Sequence, residues 1–387
     1  MSALKFEFAS ASKIIFGNKS ITQLGAIAAS LGKKVFIVTG SDEKRYAKIT
    51  AGLDVQKLPY VLFPVTGEPT LDIIRNGIRE ARFSECDLVV GIGGGSAIDT
   101  GKAVSAMLSN PGDPLDYLEI IGQGKSLQHQ AIAFIAVPTT AGTGAEVTKN
   151  AVISSPQHRV KASLRSNLML PRVALIDPEL TYALPSDITA TTGLDALTQL
   201  IEPFVSIKAN PFTDVFCRDG IQRAVRSLMR ACIDGNDVAA RCDMSMASLF
   251  GGLALANGGL GAVHGLAGPI GGMFPAPHGA ICARLLPEVL MINFRALSLR
   301  APQSPHISRF VETAHMLTGN QSSTVQDAYL WLRDLCDSLH IHSLSVYGLT
   351  PGDFEVLIEK SKTSGSMRGN PITLNDEEII EILSLSI

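Results

Sequence analysis

The hydrophobic period of this chain changes near residue 185, and that change restricts what it can fold into. Before it, short apolar runs alternate with helical spacing. Val35–Thr39, Tyr60–Phe63, Asp87–Ile92, Ala133–Val137 and Val173–Ile176 read as strands. Runs that are apolar on both faces suit a parallel sheet covered by helices on either side. A helical stretch follows Gly40 and runs to about Gly52, and Pro69–Ala81 reads as a helix with Ile73, Ile74 and Ile78 on one face. From Ala190 onward helical spacing dominates and strand signals are scarce. Pro185-Ser186-Asp187 reads as a helix start, with Ser186 or Asp187 as its cap. The expected organisation is an α/β nucleotide-binding domain over residues 1–184 and an all-helical domain over 185–387.

At 387 residues the chain exceeds what one compact core usually serves, which agrees with two domains. The net charge is −3, without a long run of one sign, so neither a nucleic-acid partner nor a membrane surface is expected. The six cysteines form no C-x-x-C pair and read as reduced, mostly buried residues of a cytoplasmic protein. The N-terminal residues lack the apolar core of a signal peptide. No Asp, Glu, Lys or Arg lies between Asp243 and Arg284, a stretch long enough to suggest a membrane span. Gly251-Gly252, Gly258-Gly259, Gly271-Gly272 and three prolines interrupt it, so a buried glycine-rich helix pair explains it better.

Gly91-Ile-Gly93-Gly94-Gly95-Ser96 follows the third strand and leads into Asp99 and Lys102. Glycines let the backbone approach a phosphate, and the next helix offers free N–H groups at its positive end. The segment is not a Walker loop, which would need Gly at Ser96 and Ser or Thr at Ala103. A second loop, Pro138-Thr139-Thr140-Ala-Gly-Thr143-Gly144, also follows a strand. Two glycine- and hydroxyl-rich loops at one sheet edge predict a long, polar ligand. Tight strand-to-helix packing is the plainer alternative for the first loop, and a solvent-exposed loop for the second.

In the second half, Thr192–Gln199 reads as a helix opening, with Asp195 and Gln199 one turn apart on a shared face. His264 and His278 each sit between apolar residues and glycine. Three such N and O groups with an open position suit a catalytic divalent metal. Each residue alone has a plainer reading, as a helix cap or a hydrogen-bonded core residue, and spacing does not link positions so far apart.

Four separated motifs occur together and in order: Gly93–Lys102, Pro138–Thr148, Gly193–Thr198 and Pro277–Gly279. In these the chain resembles the iron-containing (group III) alcohol dehydrogenase family, and the resemblance runs from Phe6 to Asn370-Pro371. It implies a Rossmann-like domain followed by a helical domain (a dehydroquinate synthase-like fold), with the active site in the cleft between them. It implies reversible NAD(P)-linked oxidation of an alcohol to an aldehyde or ketone. The metal, Fe2+ or Zn2+, would be held by Asp195, His264 and His278. The chain departs from the family pattern twice: Gln199 stands where a ligand His is usual, leaving it as a weak fourth ligand, and Gly268 stands where a second His is usual. Resemblance also implies that Gly94, Gly95 and Ser96 hold the pyrophosphate, that Asp99, Thr139, Thr140 and Thr143 orient the nicotinamide half, and that Lys161 meets its ribose.

At the end of the first strand, relatives that prefer NAD carry Asp where Gly40 stands. Gly40 and Ser41 leave room for a 2′-phosphate that Lys44 or Arg45 could pair, while Asp42 and Glu43 oppose it, so the reading leans to NADP(H). A homodimer or larger homo-oligomer is expected. Two alternatives stand beside the dehydrogenase. One is a metal-independent enzyme like maleylacetate reductase, whose glycine loop usually lacks the Asp found here at 99. The other is a non-catalytic nucleotide-binding protein, against which the intact Asp–His–His set argues.

Overall fold

The structure, a computed structural model, describes residues 5–40, 43–182 and 184–387, with the side chains of residues 43–48 outside the description. Ser41 and Asp42, and the side chains of Glu43, Lys44 and Arg45, therefore lie outside the described residues. The chain divides into two units: Ala9–Thr140 with Gly144–Ala183, and Met1–Phe8, Ala141–Thr143 and Leu184–Ile387.

The first unit is built on β1 (Ile14–Phe16), β2 (Val35–Thr39), β3 (Tyr60–Pro64), β4 (Leu88–Gly93) and β5 (Ala133–Pro138). The strands β6 (Asn150–Ser155) and β7 (Val160–Arg165) form an antiparallel hairpin, and β8 (Val173–Ile176) returns to the main sheet. That sheet is parallel throughout, in the order β1-β8-β5-β4-β2-β3. The chain winds outward in opposite directions from the β2–β4 pair, so the carboxyl ends of these two strands form the topological switch point.

Alternation along the central strands explains the two-sided cover. Phe36, Val38 and Val89 enter one core, together with Ile74, Ile78 and Val104 from helices. Val35, Ile37, Leu88, Val90 and Ile92 enter the other, with Leu24 and Leu53. The covering helices are α1 (Leu24–Leu31), α2 (Glu43–Val55), α3 (Leu71–Phe83), α4 (Gly95–Ser109) and the short α5 (Pro114–Tyr117).

The expected strands are present with small shifts. The strand expected from Asp87 begins at Leu88, because the Asp87 carboxylate accepts the Lys33 and Lys34 backbone N–H groups and closes the turn. In α3, Ile74 and Ile78 are buried, whereas Ile73 is only half-buried. Three strands gave no sequence signal: β1 has only three residues, and β6 and β7 form a half-buried hairpin of mixed polar and apolar residues.

The second unit is helical. It contains α6 (Ser186–Val205), α7 (Pro211–Ile233), α8 (Val238–Gly258), α9 (Ala262–Met273) and α10 (His278–Arg300), followed by further helices between His306 and Ser386. These surround a single apolar core that includes Leu197, Phe204, Leu228, Val263, Ile281 and Leu286. Phe6 and Phe8 stack on Phe212 and Phe216, which joins the N-terminal segment to this unit.

Two expectations about α6 need correction. The helix begins at Ser186, so Thr192–Gln199 lies in its middle rather than at its opening. Neither Ser186 nor Asp187 caps it: Pro185 holds the cap position without a side-chain bond, and the Ser186 hydroxyl donates instead to the Cys232 carbonyl. Asp187 still lies in the first turn, where its charge suits the helix dipole. The uncharged stretch 243–284 becomes α8, α9 and the start of α10, with α8 and α9 bent by 100°. Among the described residues, no single helix is long and apolar enough to cross a membrane.

Candidate active site

Three helices bring the predicted metal residues together. Asp195, Gln199 and Glu202 follow one another along one face of α6 at spacings of four and three. His264 lies in the first turn of α9, and His278 is the first residue of α10. His264 Nε2 stands 3.5 Å from Asp195 Oδ1, and His278 Nε2 stands 3.8 Å from the same oxygen. The Asp195 side chain is 2 % exposed and that of His278 is 34 % exposed, so the cluster is buried on one side and reachable on the other.

Glu202 holds this arrangement. Its Oε1 accepts the Val263 N–H at 2.6 Å, and its Oε2 lies 2.6 Å from His264 Nδ1. Asn370 Oδ1 accepts the neighbouring Ala262 N–H at 3.0 Å. Together these two distant side chains satisfy N–H groups that α9 would otherwise leave bare at its start. The carboxylate also draws the imidazole proton to Nδ1, which leaves the Nε2 lone pair pointing at Asp195 and available to a metal. Gly279 sets the approach of α10: a Cβ there would lie 2.4 Å from the Thr191 carbonyl oxygen of α6. Only glycine lets the His278 turn pack so closely on the helix that carries Asp195.

Two further side chains join the cluster. Cys282, one turn after His278, places Sγ 3.6 Å from His278 Nε2 and 3.9 Å from His264 Nε2. Ligand atoms of Asp195, His264, His278 and Cys282 all lie within 4.8 Å of one another. Gln199 stands beside Asp195, and both Gln199 Oε1 and Asp195 Oδ1 are buried without a hydrogen-bond partner. An orphan buried carboxylate oxygen, as at Asp195, is costly unless something coordinates it. One carboxylate, two imidazoles and a thiol form a donor set that fits a divalent zinc or iron.

The charges are mutually supporting. Burial is the strongest influence on both histidines and opposes their protonation. Even so, the Cys282 sulfur and Asp195 leave both pKa values raised, with Glu202 adding to the effect at His264. Burial likewise opposes ionisation of Asp195, but the two histidines outweigh it and hold its pKa below the usual carboxylate value.

The nucleotide-binding candidates gather at the switch point of the sheet. Gly93 pairs in register with Pro138, so the two predicted loops leave adjacent strands side by side. The Thr139 N–H donates to the Gly93 carbonyl at 2.9 Å, and Thr140 lies against Gly94. Gly94 holds the N-cap of α4 without a side-chain bond, and no acid occupies the first turn. Gly95 and Ser96 open the helix itself, so its start can receive an anion. Gly40 directly follows the neighbouring β2.

The other predicted residues have local partners. Asp99 accepts the Val152 N–H at 3.0 Å and lies 3.6 Å from Lys102 Nζ. Lys161 pairs with Glu68 at 2.9 Å. Thr143 groups with the helical unit, where Gly142 packs on Thr192. Lys102 is fully buried and donates to the Ala145 and Asn150 carbonyls and the Thr148 hydroxyl, which occupies all three of its N–H donors. This agrees with the exclusion of a Walker loop, whose lysine must reach a phosphate.

Sequence reasoning missed Glu202 and Cys282. Each carried a local signal: Glu202 continues the Asp195–Gln199 face of α6, and Cys282 follows His278 at a one-turn spacing.

A parallel-sheet unit with two glycine-rich loops at its switch point, joined to a helical unit carrying a buried acid–imidazole cluster, is an arrangement suited to a nucleotide-linked oxidoreductase. The iron-containing alcohol dehydrogenase profile matches residues 11–178, and the C-terminal profile of the same family matches residues 189–387. The chain is 32 % identical to a 1,3-propanediol dehydrogenase of Citrobacter freundii over 99 % of both chains. It is 34 % identical to alcohol dehydrogenase 4 of Saccharomyces cerevisiae, over 81 % of this chain and 80 % of that one. A solved 1,3-propanediol oxidoreductase superposes with a TM-score of 0.91 at 31 % identity, covering 99 % of this chain and 100 % of the other. A sulfoacetaldehyde reductase from Bifidobacterium kashiwanohense, solved in complex with NAD+, superposes at 0.87 with 27 % identity over 99 % of each chain. The chain belongs to the iron-containing alcohol dehydrogenase family and is an oxidoreductase acting on alcohols.

Proposed function

We propose that this enzyme interconverts a small alcohol with its aldehyde or ketone, using NAD(P)(H) and a divalent metal held by Asp195, His264 and His278. The observation that carries this reading is the meeting of these three side chains from three helices around a buried carboxylate oxygen without a hydrogen-bond partner. When bound, the metal supplies Lewis-acid stabilisation of negative charge on the substrate oxygen.

The chain's own residues do the positioning. Glu202 fixes the tautomer and orientation of His264. The exposed side of His278 leaves the cluster reachable by a small substrate. The start of α4, with Gly94, Gly95 and Ser96, receives the pyrophosphate, and Thr139, Thr140 and Thr143 supply hydroxyls. Asp99 and Lys161 act from partly buried positions on the dinucleotide side. Hydride transfer is the cofactor's chemistry. Gly40 at the end of β2 leaves space beside the ribose, which is why NADP(H) is the preferred form in this reading.

The test is metal content of the purified protein together with NADPH and NADH oxidation on a panel of small carbonyls, with and without a chelator. Bound metal, chelator-sensitive turnover and faster use of NADPH are expected. Full activity in metal-stripped protein would refute metal dependence, and faster use of NADH would refute the cofactor preference.

A further inference from the structure

We propose that Cys282 is a metal ligand in this chain, completing an Asp–His–His–Cys set in place of a ligand at Gln199, and that this set selects zinc. The inference rests on the metal reading above and deepens it by naming a fourth ligand and its consequence.

Geometry is the first argument. A tetrahedral zinc with bonds of about 2.1 Å to nitrogen or oxygen and about 2.3 Å to sulfur separates N from S by about 3.6 Å and O from N by about 3.4 Å. The N–S edges are 3.6 and 3.9 Å and the O–N edges are 3.5 and 3.8 Å. Four of the six edges of such a shell are thus within a few tenths of an ångström of the expected lengths, and all four atoms lie within 4.8 Å of one another.

Setting is the second argument. The other cysteines behave as core or edge residues; Cys336, for example, donates to the Ala283 carbonyl. Among the described residues, Cys282 alone of the six stands in a cluster of metal-ligating groups. It is fully buried, yet its sulfur faces two imidazole nitrogens rather than apolar carbon.

Charge is the third argument. Asp195 and a Cys282 thiolate both place negative charge directly on a bound dication in this buried cluster, whereas a Gln199 amide brings none. Cys282 would bind the metal as a thiolate. A thiolate with two imidazoles favours zinc over harder metals.

The test uses the full chain, kept reduced, stripped of metal and reloaded with cobalt(II) as a spectroscopic substitute for zinc. Wild type is expected to show a near-ultraviolet thiolate-to-cobalt charge-transfer band beside the visible cobalt transitions. In Cys282→Ser the charge-transfer band disappears, and zinc affinity measured against a chromophoric chelator falls at least ~10–100-fold, the loss typical of removing even an outer partner of a ligand. Gln199→Met keeps both the band and the affinity. A wild-type cobalt protein without the band overturns the proposal whether or not Cys282→Ser folds. So does a band that persists in Cys282→Ser, or a loss of affinity in Gln199→Met alone. Failure of wild type to retain any divalent metal refutes the metal reading itself. Metal uptake without a sulfur signature removes only Cys282.

Discussion

Glu202→Gln tests how α6 controls the His264 ligand. Wild-type Glu202 accepts two short hydrogen bonds, from the Val263 N–H and from His264 Nδ1, each at 2.6 Å, and a longer one from the His264 N–H at 3.4 Å. Glutamine keeps the shape but has one acceptor oxygen, and its other terminus donates. If the amide oxygen meets His264, the NH2 group faces the Val263 N–H and leaves a buried donor unpaired, at about 1–3 kcal/mol. If the amide is turned, its NH2 faces Nδ1 and pushes the imidazole proton to Nε2, the atom the metal needs. Either arrangement weakens metal binding. Removing such a partner costs about 10–100-fold in affinity, or about 1.4–2.7 kcal/mol. The assay is zinc competition against a chromophoric chelator, with Glu202→Asp alongside to retain the charge. Dinucleotide affinity serves as the folding control. Unchanged zinc affinity in Glu202→Gln, with the variant folded, would refute the claim that Glu202 sets the His264 tautomer.

Three other outcomes are expected. Ser96→Asp puts a negative charge where the pyrophosphate is read to lie, so NAD(P)H affinity should fall by about tenfold or more, while melting temperature holds or rises because an acid in the first turn suits the helix; unchanged affinity by fluorescence titration would remove the phosphate site from α4. Burial raises the Glu146 pKa from 4.5 to about 7, with its own backbone hydrogen bond and Lys102 opposing. The folded state therefore holds this proton more tightly than the unfolded state, and the stability it contributes is complete below about pH 4.5 and lost as pH rises through about 7, amounting to about 3 kcal/mol. Urea unfolding of the α/β unit followed by circular dichroism should show this decline in wild type and a flatter profile in Glu146→Gln. Gly279→Ala forces a Cβ to 2.4 Å from the Thr191 carbonyl oxygen. It should destabilise the helical unit by roughly 1–3 kcal/mol and weaken metal retention, read through the fluorescence of Trp331, the chain's only tryptophan, which packs on that unit's core.

The legibility of this protein divides along the range of the interactions involved. The sheet was readable because a strand buried on both faces must be apolar at successive positions. Val35–Thr39 and Val173–Ile176 carried that signature within a few residues. The glycine loops were readable for the same reason: Gly93–Ser96 follows a strand directly and opens a helix, so its chemistry is stated in one local segment. The β6–β7 hairpin was not, because its half-buried alternation is shared by many exposed loops. Pro185 took the cap position expected for Ser186 or Asp187 because start signals locate a helix end only to within a residue or two.

The metal cluster lies at the opposite extreme. Asp195, His264 and His278 were linked in sequence only through motif order, since no local rule joins residues so far apart. Their joining depends on how α6, α9 and α10 cross, and that is settled by tertiary contacts such as Gly279 against Thr191 and Glu202 against the start of α9. Cys282 shows this most clearly. In sequence it was one of six unremarkable cysteines, and one turn from His278 was its only signal. Tertiary structure turned its sulfur toward two imidazoles from different helices, because the α10 face that carries His278 must also carry the residue four positions later. Composition and period thus determined the two kinds of unit and the two glycine-rich loops. Helix crossing decided which side chains cluster as a candidate cation site, because coordination depends on atoms a few ångströms apart, whatever their separation along the chain.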